Sequence, residues 1–366
     1  MNVLVTGANG FIGSNLCEWL RSDVTVLTFE RGDTDQELRE RLAVADFVYH
    51  LAGVMRPDNE EEFEIVNVDL TARICKHLLN LGRAVPIVFT SSVQAMQDNP
   101  YGRSKCRAEN VLDDYSVTGG SRVAIYRLKN VFGKWARPNY TSVVATFCHN
   151  IARDLEIQIS DTNHSLELVY IDDVMRHFVN EMDATTTCGW RYQQISPAYD
   201  VTLGRLATLI RSFRLGPWLP DLGDEFVRRL YGTYLSYLDD LGYALDKHCD
   251  DRGCLAEFVK SGSAGQLFVS RTIPGVTRGN HYHRTKAEKF LVLNGQAIVR
   301  LRHVLGGDVV SYGVSGTDMR VIDIPPGLDH SIENVGAEDL ITLFWASEAF
   351  DPENPDTYRE PNVLQS

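Results

Sequence analysis

The opening residues "MNVLVTGANGFIG" run from a short apolar strand pattern into a glycine-rich turn that opens an amphipathic helix, "FIGSNLCEWL". This order restricts the fold more than any other stretch. A strand that delivers closely spaced glycines to a helix N-terminus belongs to a βαβ unit, and the turn between them can cradle a pyrophosphate on free amide groups. The alternation continues to about residue 180 through "VTVLTF", "ADFVYHLAG", "PIVFTSS" and "RVAIYRL". Short apolar runs separated by amphipathic helical stretches predict an α/β domain with a doubly wound parallel sheet.

Residues from about 200 to 245 keep a helical period with no convincing strand. After "DKHCDDRGC" the texture becomes short β-type runs broken by Gly and Pro, such as "LAEFVKS", "QLFVSRTIPG", "EKFLVLNGQAIVRLRHV", "VVSYGV", "MRVIDIPPG" and "LITLFWAS". These predict an antiparallel sandwich or barrel. The expected organisation is therefore two domains, 1–246 and 247–366, within a chain of 366 residues. A formal net charge of -13 and the lack of any Lys/Arg block argue against nucleic acid or an anionic membrane as partner and favour a small molecule. Seven scattered cysteines without CxxC pairs read as reduced thiols. With no cationic leader and no apolar run long enough to span a bilayer, the expected location is the cytoplasm.

Gly7, Gly10 and Gly13 form the phosphate-facing turn. The second strand ends in "TFERGD", where Glu30 stands where an acid would take the adenosine ribose hydroxyls and Arg31 can pair a 2'-phosphate. Arg31 followed by Gly32 favours NADP(H), with a solvated loop arginine as the alternative. Downstream, "FTSSVQAMQDNPYGRSK" supplies Ser92, Tyr101 and Lys105. A Tyr and a Lys four residues apart share one helical face, so the ammonium can lower the phenol's pKa while the phenol moves a proton. The Ser hydroxyl can hold a substrate carbonyl, and Ser91 is its weaker stand-in.

The stretches "TGANGFIG", "HLAG", "NVDLT", "YGRSK", "RLKNVFG" and "LVYIDDV" occur in the order found in the extended short-chain dehydrogenase/reductase family, which residues 1 to about 245 resemble. The resemblance implies a Rossmann-like fold and a catalytic set of Ser92, Tyr101 and Lys105. It places Gly7, Asn9, Gly10, Phe11, Ile12, Gly13, Arg31, Leu51, Ala52, Gly53, Asn67, Tyr101 and Lys105 around the cofactor, and Arg127 with Asn130 near the sugar nucleotide. Only eight residues separate Ser92 from Tyr101, and no acid follows the Ser directly. Both departures favour carbonyl reduction over dehydration.

"NHYHRTKAEKF" carries a second chemistry. Histidines at i and i+2 on a strand share a face, and a glutamate after a turn can close on them. His281, His283 and Glu288, completed by His330 after "PPG", make a three-histidine, one-carboxylate set open to zinc, iron, manganese or nickel. His164, His248 and His303 read as structural. The spacing of Gly275, His281, His283, Glu288 and Gly295, then Pro325, Gly327, His330 and Asn334, resembles the two signatures of the cupin family. That implies an all-β double-stranded β-helix, or jelly-roll barrel. Met319 replaces one expected glycine, which puts the local turn in question and not the ligands.

The fusion, with "RGNHYHRTKAEKFLVLNGQAIVRLRHV" and the tail "LFWASEAFDPENPDTY", is similar to the bifunctional capsular-polysaccharide enzymes that make UDP-2-acetamido-2,6-dideoxy-β-L-talose, N-acetyl-L-fucosamine precursors. This implies Zn2+ in the cupin domain, C3 epimerisation of a UDP-linked 4-keto-6-deoxy amino sugar there, C4 reduction with NADPH in the first domain, and a homodimer. Chemically, the hydrogen next to a ketone is acidic and an enolate can be stabilised at the carbonyl, so inversion followed by reduction is a coherent sequence. Lys286, Tyr282 and Glu257 are candidate acid or base groups of the cupin, whereas Lys289 should face away from Glu288. The competing readings are a single reductase or epimerase with a structural cupin, and an iron oxygenase.

Overall fold

The computed structural model describes residues 1–20, 24–184, 188–213, 219–244, 248–250, 253–255, 266–348 and 353–359. Contacts divide the chain into two compact units, Met1–Phe132 with Leu166–Asp200, and Gly133–Ser165 with Val201–Ser366.

The first unit holds β1 (Asn2–Thr6), α1 (Phe11–Leu20), β2 (Thr25–Phe29), α2 (Asp35–Val44), β3 (Phe47–His50), a π-helix (Phe63–Asp69) running into α3 (Leu70–Asn80), β4 (Ile87–Ser92), α4 (Pro100–Gly119) and β5 (Arg122–Leu128). It continues with β6 (Asn130–Phe132), β7 (Ser165–Tyr170), α6 (Ile171–Met182; α5 lies in the second unit), β8 (Gly189–Gln193) and the start of β9 (Ala198–Thr202). Six strands form one parallel sheet in the order β2-β1-β3-β4-β5-β8. Val3, Leu4 and Val5 of β1 are all fully buried, as strands with helices on both faces must be. The chain leaves β1 toward β2 and then crosses to β3 on the other side of β1. The carboxyl ends of β1 and β3 therefore flank the topological switch point, where a doubly wound sheet opens its ligand crevice. α4 starts cleanly because Asn99 accepts the Gly102 amide at 2.7 Å and Pro100 fills the first turn.

The second unit holds α5 (Val143–Ala152), α7 (Leu203–Ser212), α8 (Glu225–Leu235) and strands β10 (Gly242–Ala244), β11 (His248–Asp250), β12 (Gly253–Leu255), β13 (Gln266–Thr272), β14 (Thr277–His281), β15 (Glu288–Asn294), β16 (Gln296–His303), β17 (Val310–Ser315), β18 (Arg320–Ile324), β19 (Leu328–Asn334) and β20 (Leu340–Ala346). Two antiparallel sheets, β10-β18-β15-β20-β13 and β14-β19-β16-β17, enclose Phe290, Val299, Ile322, Ile332 and Phe344 in a cupin-type core. β15 and β16 are adjacent in sequence yet belong to different sheets, and Gly295, at φ +87°, turns the chain between them.

One expectation needs correction. Residues 200–245 do contain strand: β9 ends at Thr202, and β10 pairs Gly242 with Ile322 on β18. Three residues are too few to show an alternation, and the pairing comes from an edge offered by a distant strand. Leu238 and Leu241 pack into the cupin core as well. Met319, at φ +48°, adopts the left-handed turn that a glycine was expected to supply. Most of "LAEFVKS", and Glu257 with it, lies outside the described residues. Among the described residues, no helix is long and apolar enough to cross a membrane.

Candidate active site and metal centre

The glycine turn is built by close approach. Gly7 has φ +71°, and a Cβ there would lie 2.9 Å from Ala52 backbone atoms at the end of β3. A Cβ on Gly13 would fall 2.1 Å from the Gly7 carbonyl oxygen. Glu30 reaches across to accept the Asn9 amide at 3.0 Å. Its neighbour Arg31 points to solvent, 86% exposed, and pairs with Glu62 at 2.9 Å.

Asn67 sits in the π-helix, a local widening that often marks a functional position. It is buried, accepts the Val54 amide at 2.9 Å, and donates to the Val54 carbonyl and the Ser104 hydroxyl. Lys105 lies beside it, donating to the Thr90 carbonyl at 2.9 Å and resting 4.8 Å from the Phe89 ring. Burial lowers the Lys105 pKa to about 8, with Glu109 pulling the other way. Tyr101 is pushed up to about 12 by burial, and its hydrogen bond with Ser92 works against that shift. The Lys105 ammonium is turned onto Thr90. Ser92 is hydrogen-bonded to Tyr101, Lys105 follows one helical turn later, and Ser91 donates instead to Glu109 at 2.5 Å.

No sequence pattern singles out Glu109, although it continues the Tyr101, Lys105 face of α4 by one more turn. It is buried and receives Arg127 through two hydrogen bonds, Nε at 3.0 Å and Nη2 at 2.6 Å, together with the Tyr192 hydroxyl at 3.0 Å. Arg127 also lies over the Tyr192 ring at 4.1 Å. The guanidinium expected near the sugar nucleotide is therefore already held on one edge. Asn130 is exposed and donates to the Glu167 carbonyl at 3.3 Å.

In the second unit, His281 faces His330 across the β14–β19 ladder, with a bulge between Gly279 and His281. β14 ends at His281, so His283 lies two residues beyond the strand on which both were expected. The four ligand atoms of His281, His283, Glu288 and His330 nonetheless fall within 4.8 Å of one another. Nε2 of His283 and of His330 approach opposite oxygens of Glu288, at 3.4 and 3.2 Å. Both Nε2 atoms are buried without an aligned hydrogen-bond partner. Burial and the neighbouring imidazoles hold His281 down to about 4, which keeps it in the neutral form that ligates metals. Burial pushes Glu288 up, yet the two imidazoles outweigh it and hold the carboxyl below its usual range. Convergent unpartnered nitrogens around one carboxylate fit a divalent cation.

Of the cupin acid and base candidates, Tyr282 stacks on Tyr358 at 5.5 Å and Lys286 donates to the Pro355 carbonyl. Lys289 faces away from Glu288, as expected, and is buried against Asp323.

Residues 3–187 match the NAD dependent epimerase/dehydratase family. The chain belongs to that family. Residues 248–358 match the polysaccharide biosynthesis C-terminal domain, so this member of the epimerase/dehydratase family carries both parts. It is 45% identical over 365 residues to UDP-2-acetamido-2,6-beta-L-arabino-hexul-4-ose reductase of Pseudomonas aeruginosa, covering 98% of each. It also resembles the crystal structure of capsular polysaccharide assembling protein CapF from Staphylococcus aureus, with a TM-score of 0.67, 43% identity and coverage of 98% of this chain and 99% of that one. MoeE5 in complex with UDP-glucose and NAD shares the fold alone, at 23% identity and a TM-score of 0.51 over 58% of this chain and 81% of its own.

Proposed function

We propose that the chain is a bifunctional nucleotide-sugar enzyme of capsular polysaccharide biosynthesis, working in the cytoplasm as a homodimer. The cupin part epimerises C3 of a UDP-2-acetamido-2,6-dideoxy-4-hexulose, and the Rossmann-like part reduces the C4 ketone to UDP-2-acetamido-2,6-dideoxy-L-talose. The observation that carries this reading is the presence of two separate donor sets in one chain, Ser92 with Tyr101 and Lys105, and His281 with His283, Glu288 and His330. The Pseudomonas relative's name supports the hexulose substrate, and the homodimer rests on the family resemblance.

NADPH, bound between the glycine turn and Lys105, would supply the hydride for C4. Tyr101 then gives its phenolic proton to the C4 oxygen while Ser92 holds that oxygen in place. Lys105, Asn67 and Gly53 fix the nicotinamide ribose edge, and Arg31 meets the 2'-phosphate. In the cupin part, Zn2+ held by His281, His283, Glu288 and His330 would supply a Lewis acid for the carbonyl. The four side chains would hold that ion in place beside the sugar's keto end, where developing charge on the carbonyl oxygen needs stabilising.

The test is proton NMR of the 4-keto UDP-amino sugar in deuterated water with enzyme and no NADPH. Loss of the C3 proton signal supports independent epimerisation. Retention of that signal, with turnover only after NADPH is added, leaves a reductase alone. Tyr101→Phe should keep the exchange and lose C4 reduction by about a hundredfold or more.

A further inference from the structure

Asp356 stands far from the metal ligands in sequence, yet it binds the loop that joins them. Its carboxylate accepts the backbone amides of Arg284 at 2.9 Å, Thr285 at 3.0 Å and Lys286 at 3.0 Å, together with the Thr285 hydroxyl at 2.8 Å. These amides lie between His283 and Glu288. Its backbone carbonyl takes a further hydrogen bond from His283 Nδ1 at 2.5 Å.

A carbonyl oxygen only accepts, so His283 Nδ1 carries a proton and is committed to Asp356, which turns Nε2 toward Glu288 as the ring atom left to meet a cation. One residue thus fixes both the ring orientation of a metal ligand and the shape of the loop leading to the next. Asp356 does this at φ +38°, a left-handed conformation that a non-glycine residue keeps only when its surroundings hold it there.

The rest of the segment fastens the same loop. Tyr282 and Tyr358 exchange backbone hydrogen bonds at 2.9 and 3.0 Å, and their rings stack. The Arg284 guanidinium lies 4.1 Å from the Tyr358 ring, and the Lys286 ammonium donates to the Pro355 carbonyl. Residues 355–358 therefore run as a strap along 282–286.

We propose that this C-terminal strap is part of the metal centre, with Asp356 as the positioning residue that presets His283 and the His283–Glu288 loop for the cation. The inference rests on the metal reading above and deepens it. It also accounts for two side chains with no place in the ligand set, since Tyr282 and Lys286 serve the strap.

The experiment compares Zn2+ affinity of the full-length protein and Asp356→Gly by competition with a chromophoric chelator. Glycine keeps the left-handed backbone without strain and removes only the carboxylate. Affinity should fall by roughly tenfold to a hundredfold, the usual effect of losing a group that orients a ligand, and the rise in melting temperature on adding Zn2+ should shrink. NADPH binding, followed by fluorescence, should stay as in the parent. Equal Zn2+ affinity in parent and variant overturns the inference and leaves the metal reading intact. A parent that binds no Zn2+ overturns both. Should Asp356→Gly fail to fold, Asp356→Asn takes its place: its amide oxygen replaces only part of the carboxylate's acceptor capacity, so an intermediate loss supports the strap and unchanged affinity refutes it.

Discussion

Lys105 occupies the space that a side chain on Gly53 would need. A Cβ at Gly53 would lie 3.0 Å from Lys105 Nζ and 3.2 Å from Asn67 Oδ1. The atom in the way is the tip of a flexible chain, so Gly53→Ala should fold with little change in melting temperature while the ammonium is displaced. Misplacing a catalytic group by a fraction of an ångström to an ångström is enough to reduce kcat by about tenfold to a hundredfold. A kcat equal to the parent's would show that Lys105 needs no fixed position.

Lys105 should also weaken the fold that it serves. Its pKa drops from 10.5 unfolded to about 8 folded because burial penalises the ammonium. The linked stability is complete above pH 10.5 and lost as pH falls through about 8, a swing on the order of 3 kcal/mol. Lys105→Met removes the proton site at the expense of the hydrogen bond to Thr90, a loss of about 1 kcal/mol. Urea titrations without cofactor should find this variant more stable by about 1–2 kcal/mol at pH 7 and no longer so at pH 10.5. A variant less stable than the parent at both pH values would refute the account.

Arg31 is the exposed charge expected to meet a 2'-phosphate, and its pairing with Glu62 is a surface contact that a phosphate can displace. Arg31→Ala should raise KM for NADPH by roughly tenfold to a hundredfold, about 1.5–3 kcal/mol, and leave KM for NADH alone. Steady-state kinetics with both cofactors decides it, and an unchanged NADPH KM rejects the NADP(H) assignment.

The parts of the molecule legible in the sequence are those whose partners lie within a few residues. Gly7 and Gly13 announce themselves because turn and helix sit next to each other, and Tyr101 and Lys105 because one helical turn separates them. The metal ligands are legible because two short spacings bring four donors to facing strands. Asp356 is silent for the opposite reason. It reaches His283 from 73 residues away through a backbone oxygen that any residue would carry. Arg127 is legible from its place in the chain's order, but its pairing depends on Glu109, a partner supplied by a different element. β10 escapes because its pairing edge on β18 is made by residues nearly eighty positions later.

Lys289 and Asp323 form an ion pair on the opposite side of β15 and β18 from the metal ligands, both side chains almost fully buried. Tyr243 adds a contact at 3.3 Å to the ammonium, and burial pushes the Asp323 carboxyl up against the pull of Lys289. Two charges in such a place attract each other strongly but have each lost their hydration, so the pair as a whole need not stabilise the fold. Removing one partner leaves the other charge buried alone. Lys289→Met should therefore destabilise the chain by about 3–5 kcal/mol, whereas Lys289→Met with Asp323→Leu should recover most of that loss. Thermal or urea unfolding of the two single variants and the double variant completes the cycle. If the double variant is as unstable as the sum of the singles, the two side chains act independently and the pair is not the unit that the geometry implies.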